Sequence, residues 1–483
     1  MKKIFILGIV LLMSAMSVFA QDELDAFRFS QTDYAGTARF MGAGSSFGAI
    51  GGDFSALSTN PAAIGVFKRH EISFTPVVIS SFNTESVYDN AYSIAHRVRY
   101  SLTNLGMVFS WKIADETSKW KMAQFGFGYN RISDFNNSYF MGGNSKGTSM
   151  TDDFIESANG TYWGNLTHDA EAAWETWLID TLGGEPQQYW SPLSNHDLWL
   201  SKDIRTKGGI DEMNFSFGGN YDDKLYVGLT VGVPFLDYTM NAEYTERDLN
   251  DEINSFDYFT VNDRMHTTGV GINAKVGIIY QPVEFLRIGV AFHSPTFYNN
   301  LKETLNRQVN VYNTSDPNSD WEYDNVSKYK LCTPLRVMGS VGFIIAKRAF
   351  INAEYEFTDY SMAMLMSSDN YNYRYNYTTE NKNIENNYGA CHSVRIGGEV
   401  TIASFLVARL GYGLSTSPYK NGVANGLTHN ASCGIGFRGK YFFADFAYSW
   451  RLSGYAFKLY NTSDVVTTQT QRNRFALTLG WKF

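Results

Sequence analysis

Phe475-Ala476-Leu477-Thr478-Leu479-Gly480-Trp481-Lys482-Phe483 closes the chain and sorts its residues into two sets. Phe475, Leu477, Leu479, Trp481 and Phe483 share one side of an extended chain, while Ala476, Thr478, Gly480 and Lys482 share the other. Successive side chains point to opposite faces of a strand, so one face here is wholly apolar and the other small or polar. The pattern recurs upstream. Phe442, Ala444, Phe446, Tyr448 and Trp450 alternate with Phe443, Asp445, Ala447 and Ser449, and Leu335, Val337, Val341 and Phe343 alternate with Arg336, Met338, Ser340 and Gly342. Charge falls only on the second set.

Segments of this kind are expected near 70–80, 101–113, 119–133, 208–220, 223–247, 260–280, 284–298, 325–345, 349–366, 387–402, 404–417, 426–438, 441–460 and 471–483. Short turns such as Tyr221-Asp222-Asp223, Gln281-Pro282-Val283-Glu284 and Ala346-Lys347-Arg348 alternate with long polar connections near 143–206, 300–325, 367–386 and 461–470. Tight turns at one end and long loops at the other are the habit of membrane barrels. The predicted fold class is all-β, a 14-stranded transmembrane antiparallel β-barrel.

Composition agrees. Aromatic residues make up 16% of the 483 positions, with 31 Tyr and 35 Phe against 10 Pro and 42 Gly, a bias that aromatic girdles and glycine-bearing strands produce. After residue 20 no run of 18 apolar residues occurs, and the mean hydropathy is −0.25, which excludes a helical membrane bundle. A formal charge of −8 with no basic stripe argues against nucleic acid as a partner. Cys332, Cys391 and Cys433 are odd in number and far apart, so they read as small wall residues and not as a disulfide framework or thiolate metal site.

The ends carry their own signals. Lys2 and Lys3, the apolar run Ile4 to Met13 and the small-residue end Val18-Phe19-Ala20 have the layout of a secretory signal peptide over residues 1–20. Residues 21–69 are rich in Gly, Ala and Ser yet hold Phe27, Phe29, Tyr34, Phe40, Phe47, Phe54 and Leu57, which need a dry place that only the barrel lumen (70–483) offers. The connection 143–206 carries Trp163, Trp174, Trp177, Trp190 and Trp199, and Asp169 to Leu182 has helical spacing. That greasy loop either packs on its neighbours or docks greasy ligands.

These pieces resemble a family, the FadL-type outer-membrane transporters of long-chain fatty acids and other hydrophobic compounds, in a Bacteroidetes-like form. The match rests on Gly42-Ala43-Gly44, Gly51-Gly52-Asp53 and Asn60-Pro61-Ala62, on Gly269-Val270-Gly271 with Tyr280-Gln281-Pro282, and on Glu354 to Ser361. The resemblance implies an N-terminal hatch in the lumen, with Gly44, Asp53, Asn60, Pro61 and Ala62 among its residues. It also implies capture by outer loops and sideways exit through an inward kink of the third strand, where Gly126, Gly128, Asn136 and Asn137 lie. The terminal Phe483 resembles the signal that outer-membrane barrels present to their assembly machinery. Expected partners are therefore hydrophobic small molecules, fatty acids foremost, surrounding lipid and lipopolysaccharide, and that machinery. A monomer without cofactor is expected, working passively because no nucleotide motif appears.

Alternation places Arg287, Arg336, Arg395, Arg409 and Arg438 toward the lumen with Glu354, Glu356, Glu399 and Asp445. Either these charges pair with one another, or one of Arg336, Arg395 and Arg409 holds a fatty carboxylate. Trp174 and Trp177 are the candidates for apolar ligand contact. The eight histidines show no metal spacing and no serine sits in a Gly-x-Ser-x-Gly elbow, so no catalytic residue is expected. Two alternatives remain open, a haem receptor using His168 or His196, and a noncatalytic barrel serving protein secretion. Against the first, energy-coupled receptors need about 22 strands plus a large plug.

Overall fold

The computed structural model describes residues 23–115, 117–314, 317–368, 375–420 and 426–483. The expected signal peptide, residues 1–20, lies outside them.

Fourteen antiparallel strands close on themselves. In chain order β1 is Glu71–Tyr88, β2 Ala91–Ser101 continued by Asn104–Lys112, and β3 Trp120–Asp134 continued by Asn137–Asn144. β4 is Trp199–Tyr221, β5 Leu225–Arg247, β6 Phe256–Val283, and β7 Leu286–His293 continued by Phe297–Asn313. β8 is Ser319–Cys332 continued by Arg336–Ile345, and β9 is Ala349–Asp359 continued by Met364–Ser367. β10 is Ala390–Ala403, β11 Leu406–Ser415, β12 Thr428–Arg438, β13 Phe442–Lys458 and β14 Val465–Lys482. The ring closes where β14 pairs with β1, from Glu71 opposite Lys482 to Val87 opposite Thr467.

The expected alternation fixes which face looks out. Leu410, Ile396, Ile435, Leu477 and Trp481 stand exposed on the outer wall, while Thr478, Asp445, Arg409 and Glu354, one residue out of phase, are buried inside. No helix among the described residues is long and apolar enough to cross a membrane. Crossing by strands needs only about 9–11 residues per strand, and β6, with 28 residues, runs far past such a belt.

Several expected bounds are corrected: the strand expected at 70–80 runs to Tyr88, the chain is strand again from Ala91, and β14 starts at Val465 within the connection expected at 461–470. The connection placed at 300–325 is mostly strand, β7 running to Asn313 and β8 starting at Ser319. Above the apolar belt the outer face meets water, so polar Thr304, Asn306 and Gln308 point out while Leu301, Leu305 and Val309 are buried inside. The polarity of the alternation inverts, and a search for an apolar outer face passes over it. The helix expected at Asp169–Leu182 is shorter, His168–Glu175, followed by Trp177 at φ 63° and a small hairpin of Asp180–Leu182 with Glu185–Trp190.

At the long-loop end the connections form a cap. Helices Thr151–Ala158 and His168–Glu175 pack Phe154, Ala158, Ala170 and Ala173 against Tyr244, Phe259 and Val309 of the strand extensions. The buried Glu246 carboxylate ties the cap to β5 by accepting from Ser149 Oγ at 2.6 Å and the Met150 amide at 2.7 Å.

Candidate functional site

The lumen has a floor and a chamber, both built on the segment 23–67. The floor comes from its second half. A short helix, α2 (Ala38–Gly42), is capped by Thr37, whose hydroxyl donates to the Asp53 carboxylate at 2.8 Å; Asp53 itself caps the next turn, Phe54–Ser58, through the Ser55 amide. Asn60 before Pro61 is extended, as its position ahead of a proline requires. Its side chain accepts from the Ala62 amide at 3.0 Å and donates to the Gly48 carbonyl at 2.6 Å, holding two turns of the segment together.

The wall makes room for these turns. A Cβ on Gly277 of β6 would lie 1.9 Å from Asn60 Oδ1, and one on Gly397 of β10 would lie 1.9 Å from the Ala43 carbonyl oxygen. Only glycine permits such approach. Gly44 donates to Ser432 Oγ at 3.0 Å and Gly48 to Glu354 at 2.7 Å.

Charge completes the floor. Glu399 accepts from Arg39 of the segment at 2.9 Å and from the fully buried Arg409 at 2.6 Å, and Arg409 also meets Asp445 at 2.7 Å. Arg395 reaches Glu354 at 2.6 Å and Glu356 at 2.7 Å. Arg287 donates to the Ile50 carbonyl and Arg336 to the Ser30 carbonyl, at 2.7 and 3.1 Å. Arg395 and Arg409 are thus held by carboxylates, and Arg336 by the segment's backbone. Removing one member of such a buried pair costs about 3–5 kcal/mol, because the other charge is left uncompensated.

The chamber lies above, and its occupant is the chain itself. Helix α1 (Glu23–Ser30) carries Phe27 and Phe29 into a cluster with buried Tyr238, Tyr298, Tyr329, Leu301, Leu331 and Leu365. Phe27 stacks on Tyr388 with centroids 4.5 Å apart and meets Tyr360 and Tyr419 edge-on. Phe29 packs edge-on against Phe135 and Tyr238, at 5.8 and 5.7 Å. None of these tyrosines stood out in the sequence. The available signal was the inverted alternation of the strand extensions, which puts Tyr238, Tyr298 and Tyr329 on the inner face.

Phe135 leads from the chamber to an irregularity in the wall. The lower pieces of β2 and β3 pair from Lys112 opposite Met122 to Asn104 opposite Asn130, and Arg131 donates a last bond to the Thr103 carbonyl at 3.0 Å. Above this, β2 pairs with β1 and β3 with β4, but among the described residues no ladder joins β2 to β3. The register with β4 shifts between Arg131 and Ser133, and β3 breaks just beyond, at Asp134-Phe135-Asn136, where the Asn136 amide donates to the Asp134 side chain at 3.0 Å. Its upper piece passes inside the wall. Asn137 accepts from Thr84, a lumen-facing residue of β1, at 3.0 Å, and Gly143 lies against the Tyr88 ring.

Arg97 spans the seam: its Nη1, on β2, donates to the Asn137 and Thr206 carbonyls, each at 2.8 Å. Below it Asp33 of the segment meets Arg451 at 2.8 Å and also Arg472 and Arg474. Burial alone would raise the Asp33 carboxyl, but Arg474, Arg451 and Arg472 hold it well below the usual carboxylate range. The kink falls at Asp134–Asn136; Gly126 and Gly128 lie in the regular lower piece, against Ile64 and Phe54.

The tryptophan candidates lie elsewhere. Trp174 packs on Tyr189 and Trp163 in the cap, and Trp177 is 71% exposed there, so neither joins the lumen arginines. His168 stacks on Tyr323 and His196 lies 3.6 Å from Glu252, both in the cap. Among the described residues no group of three or more His, Cys, Asp or Glu is placed to hold a metal.

A closed fourteen-stranded barrel whose N-terminal segment of helices and turns lies within the wall is the class of protein defined by this architecture. No family model and no curated protein matches the sequence. Solved structures do share the fold: a FadL homologue of Pseudomonas aeruginosa, at 15% identity and TM-score 0.57, covers 94% of this chain and 99% of its own. The toluene transporter TodX of P. putida, at 11% identity and TM-score 0.54, covers 93% and 99%. The Ralstonia pickettii toluene transporter TbuX, at 12% identity and TM-score 0.52, covers 95% and 100%.

Proposed function

We propose that the protein is an outer-membrane channel of the FadL type for passive uptake of hydrophobic small molecules, with residues 21–69 as its hatch and the seam beside Arg97 as its exit into the membrane. The observation that carries this reading is the apolar, tyrosine-walled cluster around Phe27 and Phe29, which lies above the charge-paired floor and reaches, through Phe135, an unladdered stretch of wall.

The energetics favour a sideways route. An acyl chain of roughly 15 methylenes gains about 0.8 kcal/mol per methylene in hydrocarbon, so a path through periplasmic water would cost on the order of 12 kcal/mol. A seam between two strands, latched by one arginine, avoids that barrier. The exposed Trp163, Trp177, Trp190 and Tyr162 of the cap supply an outer capture surface. Within the chamber a ligand replaces Phe27 and Phe29, since their ring contacts are the kind an apolar guest reproduces.

Long-chain acids are favoured over neutral hydrocarbons by the seam's charge. Among the described residues Arg451, Arg472 and Arg474 pair with Asp33 and Asp134, Arg97 with backbone carbonyls, and this basic surplus attracts a carboxylate head. Signal-peptide removal, assembly as a monomer and delivery by the barrel-assembly machinery belong to the same reading. The test is uptake of labelled oleate and labelled toluene by cells making the protein or lacking it. Oleate uptake that depends on the protein is expected, and uptake of neither compound above the deleted strain defeats the proposal.

A further inference from the structure

Two halves of the outer wall end differently at the upper rim of the apolar belt. On the β9–β14 side the rim is aromatic: Tyr355 donates to or accepts from His392 and Tyr412 from His429, each pair at 2.7 Å across neighbouring strands, and Tyr448 donates to Asn473 at 2.8 Å. Rings with a polar tip suit the boundary between hydrocarbon and water.

On β5–β8 the belt ends at Phe235, Val270 and Phe297, and the rim above it is basic. Lys302 of β7 stands directly opposite Lys328 of β8. Both point outward, since their neighbours Glu303 and Tyr329 are buried in the lumen. Like charges directly opposite one another destabilise a sheet, and among the described residues neither lysine has an ion-pair partner. Arg264 and Lys207 lie on the same wall beside them. Acidic groups share this wall: Asp237 lies 3.4 Å from His266, and Glu322 and Asp324, farther up β8 from Lys328, accept from Asn306 at 2.6 and 2.9 Å. Lys207, Arg264, His266 and Asn306, together with Asp237 and Asp324, border an open concavity of about 680 Å³ on this wall.

We propose that this basic rim is a binding site for the phosphorylated saccharide headgroup of an outer-leaflet glycolipid, with a phosphate held between Lys302 and Lys328. The inference rests on the outer-membrane reading, which places the rim at headgroup height. The phosphate relieves the repulsion of the cross-strand lysine pair, which an aliphatic or zwitterionic neighbour leaves in place. Acyl chains run down over Val270, Ile272 and Phe297, and the sugar hydroxyls meet Thr304 and Asn306. The aromatic rim on the opposite half offers no such charge, so the protein carries its glycolipid on one side.

The test uses the purified full chain in detergent and native mass spectrometry. The variants are K302Q/K328Q and, on the aromatic rim, Y412F/H429Q. The probes are bisphosphorylated lipid A, the same lipid after dephosphorylation, and inorganic phosphate. Retention of bisphosphorylated lipid A should fall at least tenfold in K302Q/K328Q and stay unchanged in Y412F/H429Q, with dephosphorylated lipid retained weakly by all. Equal retention by K302Q/K328Q and the unmodified protein overturns the site. Inorganic phosphate that competes at a concentration near that of the lipid overturns the lipid assignment. The same samples are scored for the heat-modifiable barrel band and for oleate uptake, so failure of lipid binding with uptake intact falls on this site alone.

Discussion

Around Arg409 the neighbours are charges and polar groups: Glu399 accepts from the guanidinium and from Arg39, Asp445 lies 2.7 Å away as an ion pair, and nearby the Gly48 amide donates to Glu354. Around Phe27 the neighbours are rings and aliphatic chains, and they reach it by stacking and edge contacts. The same N-terminal segment builds both regions. Paired charges and directional bonds in a dry lumen tolerate few arrangements, so the floor is specified in place. Contacts among rings are interchangeable with those of any apolar guest, so the chamber is specified only in character. Under the proposed function, that division lets residues 21–69 stay put while a ligand exchanges above them.

The largest effect expected from breaking the comparison is on the floor. A chain lacking residues 21–69 should still assemble, because the ladder from β14 to β1 does not depend on them. Its lumen should conduct ions in single-channel recordings, while the intact protein conducts poorly; a hatchless barrel as closed as the intact one places the seal elsewhere. Arg409→Met comes next. It removes one of two guanidinium partners from each of Glu399 and Asp445, which keep Arg39 and Arg438, and should cost less than the roughly 3–5 kcal/mol of a fully uncompensated buried charge, read as a lowered temperature for loss of the folded band. An unchanged temperature would mean that the floor is not held by these charges.

The chamber should respond in the opposite direction. Phe27→Ala removes the internal competitor of a guest and leaves the floor alone. Aromatic pairs contribute about 0.5–1.5 kcal/mol beyond burial, so the affinity for a fluorescent fatty acid should rise roughly threefold to tenfold. A loss of affinity would make Phe27 part of the ligand's own wall.

How far these regions were legible in the sequence follows from the same physics. Phe475 to Phe483 and Phe442 to Trp450 lie in the belt, where lipid outside and a polar lumen inside impose apolar-out alternation, and there strand positions and count emerged together. Lys302 to Asn313 lie above it, where water outside and a packed interior reverse the pattern, and the segment read as loop. Asn60-Pro61-Ala62 was legible because a proline restricts its predecessor and a side-chain cap needs that spacing. The chamber tyrosines were not, since each becomes a site residue only when strands far apart in sequence meet around α1. Arg97 was equally silent, because a latch is defined by the ladder missing beside it.

A smaller effect is expected in the cap. Burial pushes the Asp153 carboxyl up to about 6, against the backbone hydrogen bond from Asn461. Its folded value lies above the ordinary aspartate range, so the folded cap favours the protonated form. Its contribution is fully present below about pH 4 and is lost as the pH rises through about 6. Proteolytic nicking of the cap should therefore increase from pH 5 to pH 7.5, and Asp153→Asn should flatten that dependence. An equally steep profile in the variant would assign the titration to another group.

The seam bears most directly on the claim that the ligand leaves sideways. In a background with Cys332, Cys391 and Cys433 replaced by serine, Arg97→Cys and Asn137→Cys put one thiol on each side of it, and a reducible bifunctional thiosulfonate joins them. Labelled oleate uptake is then measured before bridging, after bridging and after reduction. The predicted result is uptake that stops when the seam is bridged and returns on reduction, with the folded barrel band unchanged throughout. Uptake that continues at the same rate through a bridged seam would contradict the account.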